Sequence, residues 1–123
     1  MARRKVLDSP VRFVYKVCAD SEWRDALECG SYEGSPDDLR DGFVHLSTAA
    51  QLSGVLERYF AGKIGLVVVA FPAESLGPQL RWEPSRDDVY PHFYGVVSVS
   101  VASAAHPLPD DAAARRRVVS ALA

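Results

Sequence analysis

Apolar positions along the chain switch between a period of two and a period of three to four. Phe13, Tyr15 and Val17 alternate with Arg12, Val14, Lys16 and Cys18, and this aromatic, β-branched alternation predicts a strand. The segment SEWRDALE from Ser21 places Trp23, Ala26 and Leu27 on one helical face, and Gly30 supplies a stop. Gly30 to Gly42 holds three glycines, one proline and four acidic residues. It reads as a loop in which Ser35-Pro36-Asp37-Asp38 caps one helical turn. Phe43 to Ser47 predicts a short strand. Thr48 then caps a helix over AAQLSGVLERYF, with Leu52, Val55, Leu56, Tyr59 and Phe60 on its apolar face.

Gly65 to Phe71 is almost continuously apolar and valine-rich, the pattern of a central strand buried on both faces. Pro72 to Gly77 predicts a turn or a single helical turn, Leu80 to Glu83 a short strand, and Pro84 to Asp88 a polar connector. A long extended pattern covers Val89 to Ala102, with Pro91 expected at an edge or a bulge. From Pro107 the chain resembles a terminal helix whose acidic start and basic interior suit the helix dipole. Helices mixed with strands in this order predict an α+β class rather than a doubly wound sheet. The expected layout is a flexible lead-in over residues 1–10, a single α+β domain over 11–104, and a helical tail over 105–123.

Bulk properties narrow the partners more than the fold. A chain of 123 residues with 48% apolar content can form one core without disulfides or a structural metal. With 14 basic and 16 acidic side chains the net charge is −2, so no broad positive field gathers polyanions and bulk nucleic-acid binding is not expected. A local phosphate pocket remains compatible with that balance. Cys18 and Cys29 read as reduced core or near-core thiols. The first ten residues carry basic charge without a following apolar region, and the apolar run Leu66 to Phe71 is far too short to span a bilayer. A cytoplasmic protein with no membrane partner is the expectation; the oligomeric state is open.

Candidate chemistry gathers in two segments. In Asp41-Gly42-Phe43-Val44-His45-Leu46-Ser47-Thr48, an extended backbone puts Phe43, His45 and Ser47 on one face and Val44 and Leu46 on the other. An imidazole and a hydroxyl then stand just before a helix N-terminus, where an anion can dock; equally, His45 can simply bond a neighbouring loop. In Tyr90-Pro91-His92-Phe93-Tyr94-Gly95, Tyr90, His92 and Tyr94 point the same way. That is either a proton-handling histidine between aromatic walls or an aromatic face packed on the core. Arg81-Trp82-Glu83 adds a ring that stacks on a ligand or plugs the core, and a carboxylate that acts as a base or pairs with Arg81 or Arg86. His45 and His92 lack clustered ligands, so no metal is expected. No GxSxG elbow, GxGxxG turn or P-loop is present.

Taken in order, Val14-Tyr15-Lys16-Val17, Trp23, Gly30 with Tyr32, Ser35, Asp41 to Thr48, Arg81-Trp82-Glu83 and Pro91-His92-Phe93-Tyr94-Gly95 resemble the family catalogued as domain of unknown function 952. The resemblance runs from about residue 13 to residue 101. It implies membership of the ADP-ribosyltransferase-like superfamily, which includes the tRNA 2′-phosphotransferases, and a fold of split sheets around an NAD-binding cleft. Val44-His45-Leu46-Ser47 is similar to a segment of the tRNA enzymes. Two departures stand out. Lys16 occupies the histidine position of the early Tyr-His-Gly-Thr-like motif, and the late-strand glutamate of typical transferases is replaced by His92 and Tyr94. The extra N-terminal domain of the tRNA enzymes has no room in a chain of this length.

The resemblance therefore implies a protein that binds NAD or a related nucleotide and transfers or hydrolyses an ADP-ribosyl or phosphate group. Under it, His45 and His92 are the catalytic candidates. Lys16 charges the pyrophosphate site, Ser47 and Thr48 contact ribose or phosphate, and Trp82 or Tyr94 stacks on a ring. The alternative is a non-catalytic nucleotide- or peptide-binding module, a sensor or adaptor.

Overall fold

The structure is a computed structural model and describes residues 11–122; the expected lead-in over residues 1–10 lies outside them. In chain order the elements are β1 (Phe13–Ala19), α1 (Asp20–Cys29), β2 (Ser31–Tyr32), α2 (Pro36–Asp41) and β3 (Val44–His45). A 3-10 turn over Ala49–Gln51 leads into α3 (Leu52–Tyr59), followed by β4 (Leu66–Pro72), α4 (Ala73–Leu76), β5 (Leu80–Ser85) and β6 (Asp88–Phe93). β7 (Val97–Ser98), β8 (Ala104–Pro107) and α5 (Ala112–Leu122) complete the domain.

Three small antiparallel sheets result: β1-β4-β8, β2-β7 and β3-β6-β5. β4 lies at the centre of the first, as its apolar run predicts, and its alternate residues enter two separate cores. Val67, Val69 and Phe71 pack with Val14, Trp23, Tyr32, Val44 and Phe93. Leu66, Val68 and Ala70 pack on the other side with Tyr15, Val17, Leu52 and Leu56 of α3, and Val119 of α5. The alternation of side chains along β4 thus lets one strand organise both layers. The class is mixed α and β with short helices in a single domain.

Several details depart from the sequence pattern. The extended run expected over Val89 to Ala102 breaks at Gly95, whose φ of 142° suits glycine, and continues as β7 and a 3-10 turn over Val99–Val101. A side chain at Gly95 would collide with Gln79, which donates from Nε2 to the Tyr94 carbonyl at 2.7 Å. Pro91 sits in β6, the middle strand of its sheet, rather than at an edge. Its carbonyl accepts from Leu46 N at 3.1 Å, just beyond the end of β3. The missing proline N–H therefore faces a stretch where the ladder has already ended.

The expected boundary at residue 105 falls inside β8, which pairs with β4 through Val68 and His106. Within the stretch expected as a tail, α5 covers Ala112–Leu122 and buries Val119 and Arg115 against the domain. Leu27 is exposed, because α1 packs only through Trp23 and Ala26, and Cys29 is exposed while Cys18 is buried. Both thiols are free. Among the described residues no helix is long and apolar enough to cross a membrane.

Candidate functional site

Two backbone devices bring the early and late motifs together. Tyr15 and Ser47 exchange hydrogen bonds, Tyr15 N to Ser47 O at 2.8 Å and Ser47 N to Tyr15 O at 2.9 Å, which fastens β1 to the chain leaving β3. β3 and β6 pair with His45 directly opposite His92. Paired residues of an antiparallel ladder share a face, and the two imidazole centroids are 5.6 Å apart, edge to face. Phe43 completes the group: its ring stacks on His92 at 4.1 Å and lies 4.6 Å from His45.

Each imidazole is held by a carboxylate. His45 Nδ1 lies 2.6 Å from Asp38 Oδ1, and its Nε2 lies 3.1 Å from Asp41 Oδ2. His92 Nδ1 lies 2.7 Å from Glu83 Oε1, the same oxygen that accepts from the Tyr94 hydroxyl at 2.7 Å. Such contacts orient a ring and select its tautomer. The hydrogen bonds from His92 and Tyr94 hold the Glu83 carboxyl below its ordinary range, while donating that bond to the carboxylate raises the Tyr94 phenol.

Asp38 is the hub. It begins as a helix cap: α2 starts at Pro36, Ser35 Oγ accepts from Asp38 N, and Asp38 Oδ2 accepts from Ser35 N at 2.9 Å. The same carboxylate reaches further, accepting from His45 N at 3.1 Å and pairing with Lys16 Nζ at 2.7 Å. It is only 2% exposed. Burial by itself pushes its carboxyl up, but the His45 bond, the Lys16 charge and the Ser35 N–H outweigh that and hold it well below the usual range.

A cleft of about 1010 Å³ opens over this cluster, lined by Lys16, Asp38, His45, Ser47 and His92 and, further along, Tyr59, Arg86 and Tyr90. His45 and His92 thus share one cleft. Lys16 also lines it, yet its charge is already met by Asp38, so the free cation expected for a pyrophosphate is not available there. Ser47 lies on the wall. Thr48 does not: its hydroxyl accepts from Gln51 N while Gln51 Oε1 accepts from Thr48 N, and this reciprocal cap closes the helix start that was expected to receive an anion.

Trp82 and Tyr94 also lie outside the lining. In the β5–β6 register Arg81 faces His92 and Glu83 faces Tyr90, whereas Trp82 faces Pro91. Alternation therefore turns Trp82 to the opposite side of the sheet from His92. Tyr94 stays on the polar side, with Arg81 Cζ 4.7 Å from its ring centroid, and supports Glu83 rather than forming a ring platform. Cys18 lines the cleft too, but burial pushes its thiol up to about 12, which removes it as a nucleophile.

The sequence reading missed Asp38, Asp41 and Phe43 as members of the site. The capping signal around Ser35 was visible, and it accounted for Asp38 so fully that nothing pointed to a second partner 7 residues away. Glu83, read from the sequence as a base or a partner of Arg81 or Arg86, reaches His92 across the strand pair in the structure.

The chain is similar to solved structures. The crystal structure of protein CC0527 from Caulobacter crescentus is 39% identical with a TM-score of 0.76, covering 79% of this chain and 86% of that one. The solution NMR structure of CC0527 is 38% identical with a TM-score of 0.78, covering 90% of this chain and 97% of that one. No curated protein matches the chain. The profile of the family described as "Protein of unknown function (DUF952)" matches residues 17–105. That span is well over half of the chain, and with the CC0527 likeness it makes this protein a member of the DUF952 family.

Proposed function

We propose that the cleft binds a nucleotide, NAD or a related phosphate ester, and that His45 and His92 act on it as an acid–base pair in transferring or hydrolysing an ADP-ribosyl or phosphate group. One observation carries the reading: two carboxylate-held imidazoles stand side by side in the lining of a cleft of about 1010 Å³. That volume suits a small-molecule ligand of nucleotide size. With Glu83 bonded to Nδ1 of His92, Nε2 is the nitrogen left for proton transfer. On a phosphate ester, one imidazole takes a proton from the attacking hydroxyl or water as the other gives a proton to the leaving oxygen. On NAD the ribose–nicotinamide C–N bond breaks, nicotinamide leaves as a neutral molecule, and only the base is needed, to take the proton of the attacking hydroxyl or water. NAD, if it is the ligand, supplies the ADP-ribosyl group. The ADP-ribosyltransferase-like placement suggested by the Val44 to Ser47 segment agrees with this reading, with Lys16 and His92 as its departures. Glu83 takes part through His92 in a scheme whose late strand lacks the usual glutamate.

A second reading has its own support. Both nitrogens of His45 face carboxylates, Asp38 and Asp41, which leaves that ring poorly placed to exchange a proton with a ligand. On that reading the protein is a nucleotide- or peptide-binding module without chemistry, in which His45 only shapes the wall.

Thermal stability measured against NAD, ADP-ribose, nucleoside phosphates and RNA carrying a terminal 2′-phosphate tests both. A ligand at 100 times its dissociation constant stabilises by about 2.7 kcal/mol, and His45→Ala and His92→Ala should reduce that gain. Product seen by mass spectrometry with the wild type and lost with His92→Ala supports catalysis. Binding without product favours the module, and no stabilisation by any of these compounds rejects the nucleotide cleft.

A further inference from the structure

With Lys16 neutralised by Asp38, a nucleotide in the cleft needs its phosphate charge met elsewhere. The tip of the β5–β6 hairpin provides the candidate. Ser85 pairs with Asp88, so Arg86 and Asp87 form a two-residue turn. Arg86 has a φ of 58°, the one positive value among described residues other than glycine. The first position of such a turn favours glycine, asparagine or aspartate, and a bulky side chain stays there only when its surroundings hold it. Arg86 is held: Nε donates to the Tyr59 hydroxyl at 2.5 Å, and Cζ lies 5.4 Å from the centroid of the same ring.

The rest of the guanidinium is not used. Among the described residues neither Nη1 nor Nη2 of Arg86 has a hydrogen-bond partner or an ion pair. Arg86, Tyr59 and Tyr90 line the same cleft as His45 and His92. Asp87 and Asp88 line a separate hollow of about 350 Å³, which Arg86 also borders, and Asp88 Oδ2 accepts from Gln51 Nε2 at 3.0 Å. A planar fork with two free nitrogens, pinned at its Nε and stacked on an aromatic ring, is suited to bidentate contact with phosphate oxygens.

We propose that Arg86 is the phosphate receptor of the cleft, presenting Nη1 and Nη2 to the phosphate or pyrophosphate of a nucleotide whose reacting end lies between His45 and His92. The assignment rests on the nucleotide reading for the identity of the ligand, but not for the anion site itself. Local conformation at the turn is then given up for a binding group, so glycine at this position should fold at least as well and bind worse.

Calorimetric titration of the wild type, Arg86→Gly and Arg86→Asn with inorganic pyrophosphate and with ADP-ribose separates the possibilities, alongside their melting temperatures. The expected result is a melting temperature equal to or above that of the wild type in both variants, with affinity for both probes reduced at least tenfold. Unchanged affinity of the variants for ADP-ribose leaves the nucleotide reading standing and overturns the Arg86 site. Binding of pyrophosphate through Arg86 without binding of ADP-ribose does the reverse. Failure of the wild type to bind either probe rejects both. Melting temperatures lowered in both variants, with affinity kept in either, assign Arg86 a structural role and overturn the proposal.

Discussion

Asp38 joins three otherwise separate parts of the chain through one buried carboxylate: the cap of α2, the Lys16 ammonium on β1 and the His45 ring on β3. Removing one member of a buried pair leaves the other charge unmet, which costs about 3–5 kcal/mol. Asp38→Asn should lose stability of that order in urea denaturation at neutral pH. Its pH dependence follows from the direction of the shift. A carboxyl held below its ordinary 3.8 in the folded chain binds fewer protons there than when unfolded. Its contribution is therefore complete above about pH 4 and is lost as the pH falls from there towards the folded value. Wild-type stability should fall steeply below pH 4, and Asp38→Asn should show a shallower fall over the same window.

At the same scale, Glu83 should keep the proton of neutral His92 on Nδ1. Nitrogen-15 chemical shifts of the His92 ring should report that tautomer in the wild type and a shift towards the Nε2–H form in Glu83→Ala. An unchanged tautomer would remove Glu83 from its positioning role. Side-chain partners of this kind were the least legible part of the chain. His45 and His92 stood out as residue types in extended segments, but Asp38 and Asp41 looked like ordinary loop acids. Their meeting with His45 depends on the turn through Gly42, with its φ of 87°.

Among the elements, the strands with their own periodicity were readable, and two of the short ones were not. β1, β4 and the Thr48 cap follow directly from local pattern. β3 lies within the strand read over Phe43 to Ser47 and β7 within the extended run over Val89 to Ala102. By contrast β2, of 2 residues, and β8 are defined only by what they pair with, and no local signal marks them. Pro91 is tolerated within a middle strand because its neighbour β3 stops short, a fact that lives in the tertiary arrangement. The loop before α2 has a similar hidden constraint. Gly34 has a φ of 119°, and a Cβ there would lie 2.6 Å from the Asp38 Cβ. Gly34→Ala should cost about 1–3 kcal/mol through crowding. It should also move Asp38 off His45, so the His45 nitrogen shifts should change in the same variant. A stability loss with those shifts unaltered would mean that the loop yields instead of the carboxylate.

The whole molecule is a β4-centred sheet with a core on either side, and the site stands where β3 and β6 meet one margin of it. The far side is locked by a buried cation. Arg115 of α5 donates from Nε to Pro109 O at 2.7 Å, from Nη1 to Phe60 O at 3.2 Å and from Nη2 to Lys63 O, so one side chain ties α5 to the turn after α3. Arg115→Met should strand these carbonyls and cost about 1–3 kcal/mol, measurable by thermal or urea unfolding. Because Lys63 and Phe60 also line the cleft, their amides should exchange faster with deuterium in the variant. A fully stable variant would show that water replaces the guanidinium.

The order β1-β4-β8 also governs the birth of the protein. A chain leaving the ribosome can pair β1 with β4 early. The other edge of β4 gains its partner only when residues 104–107 have also emerged. Until then the most apolar strand of the molecule presents an unpaired edge, the kind of surface that recruits other nascent chains. Chaperone dependence during synthesis, more than fragility of the finished fold, should therefore limit how much of this protein a cell accumulates.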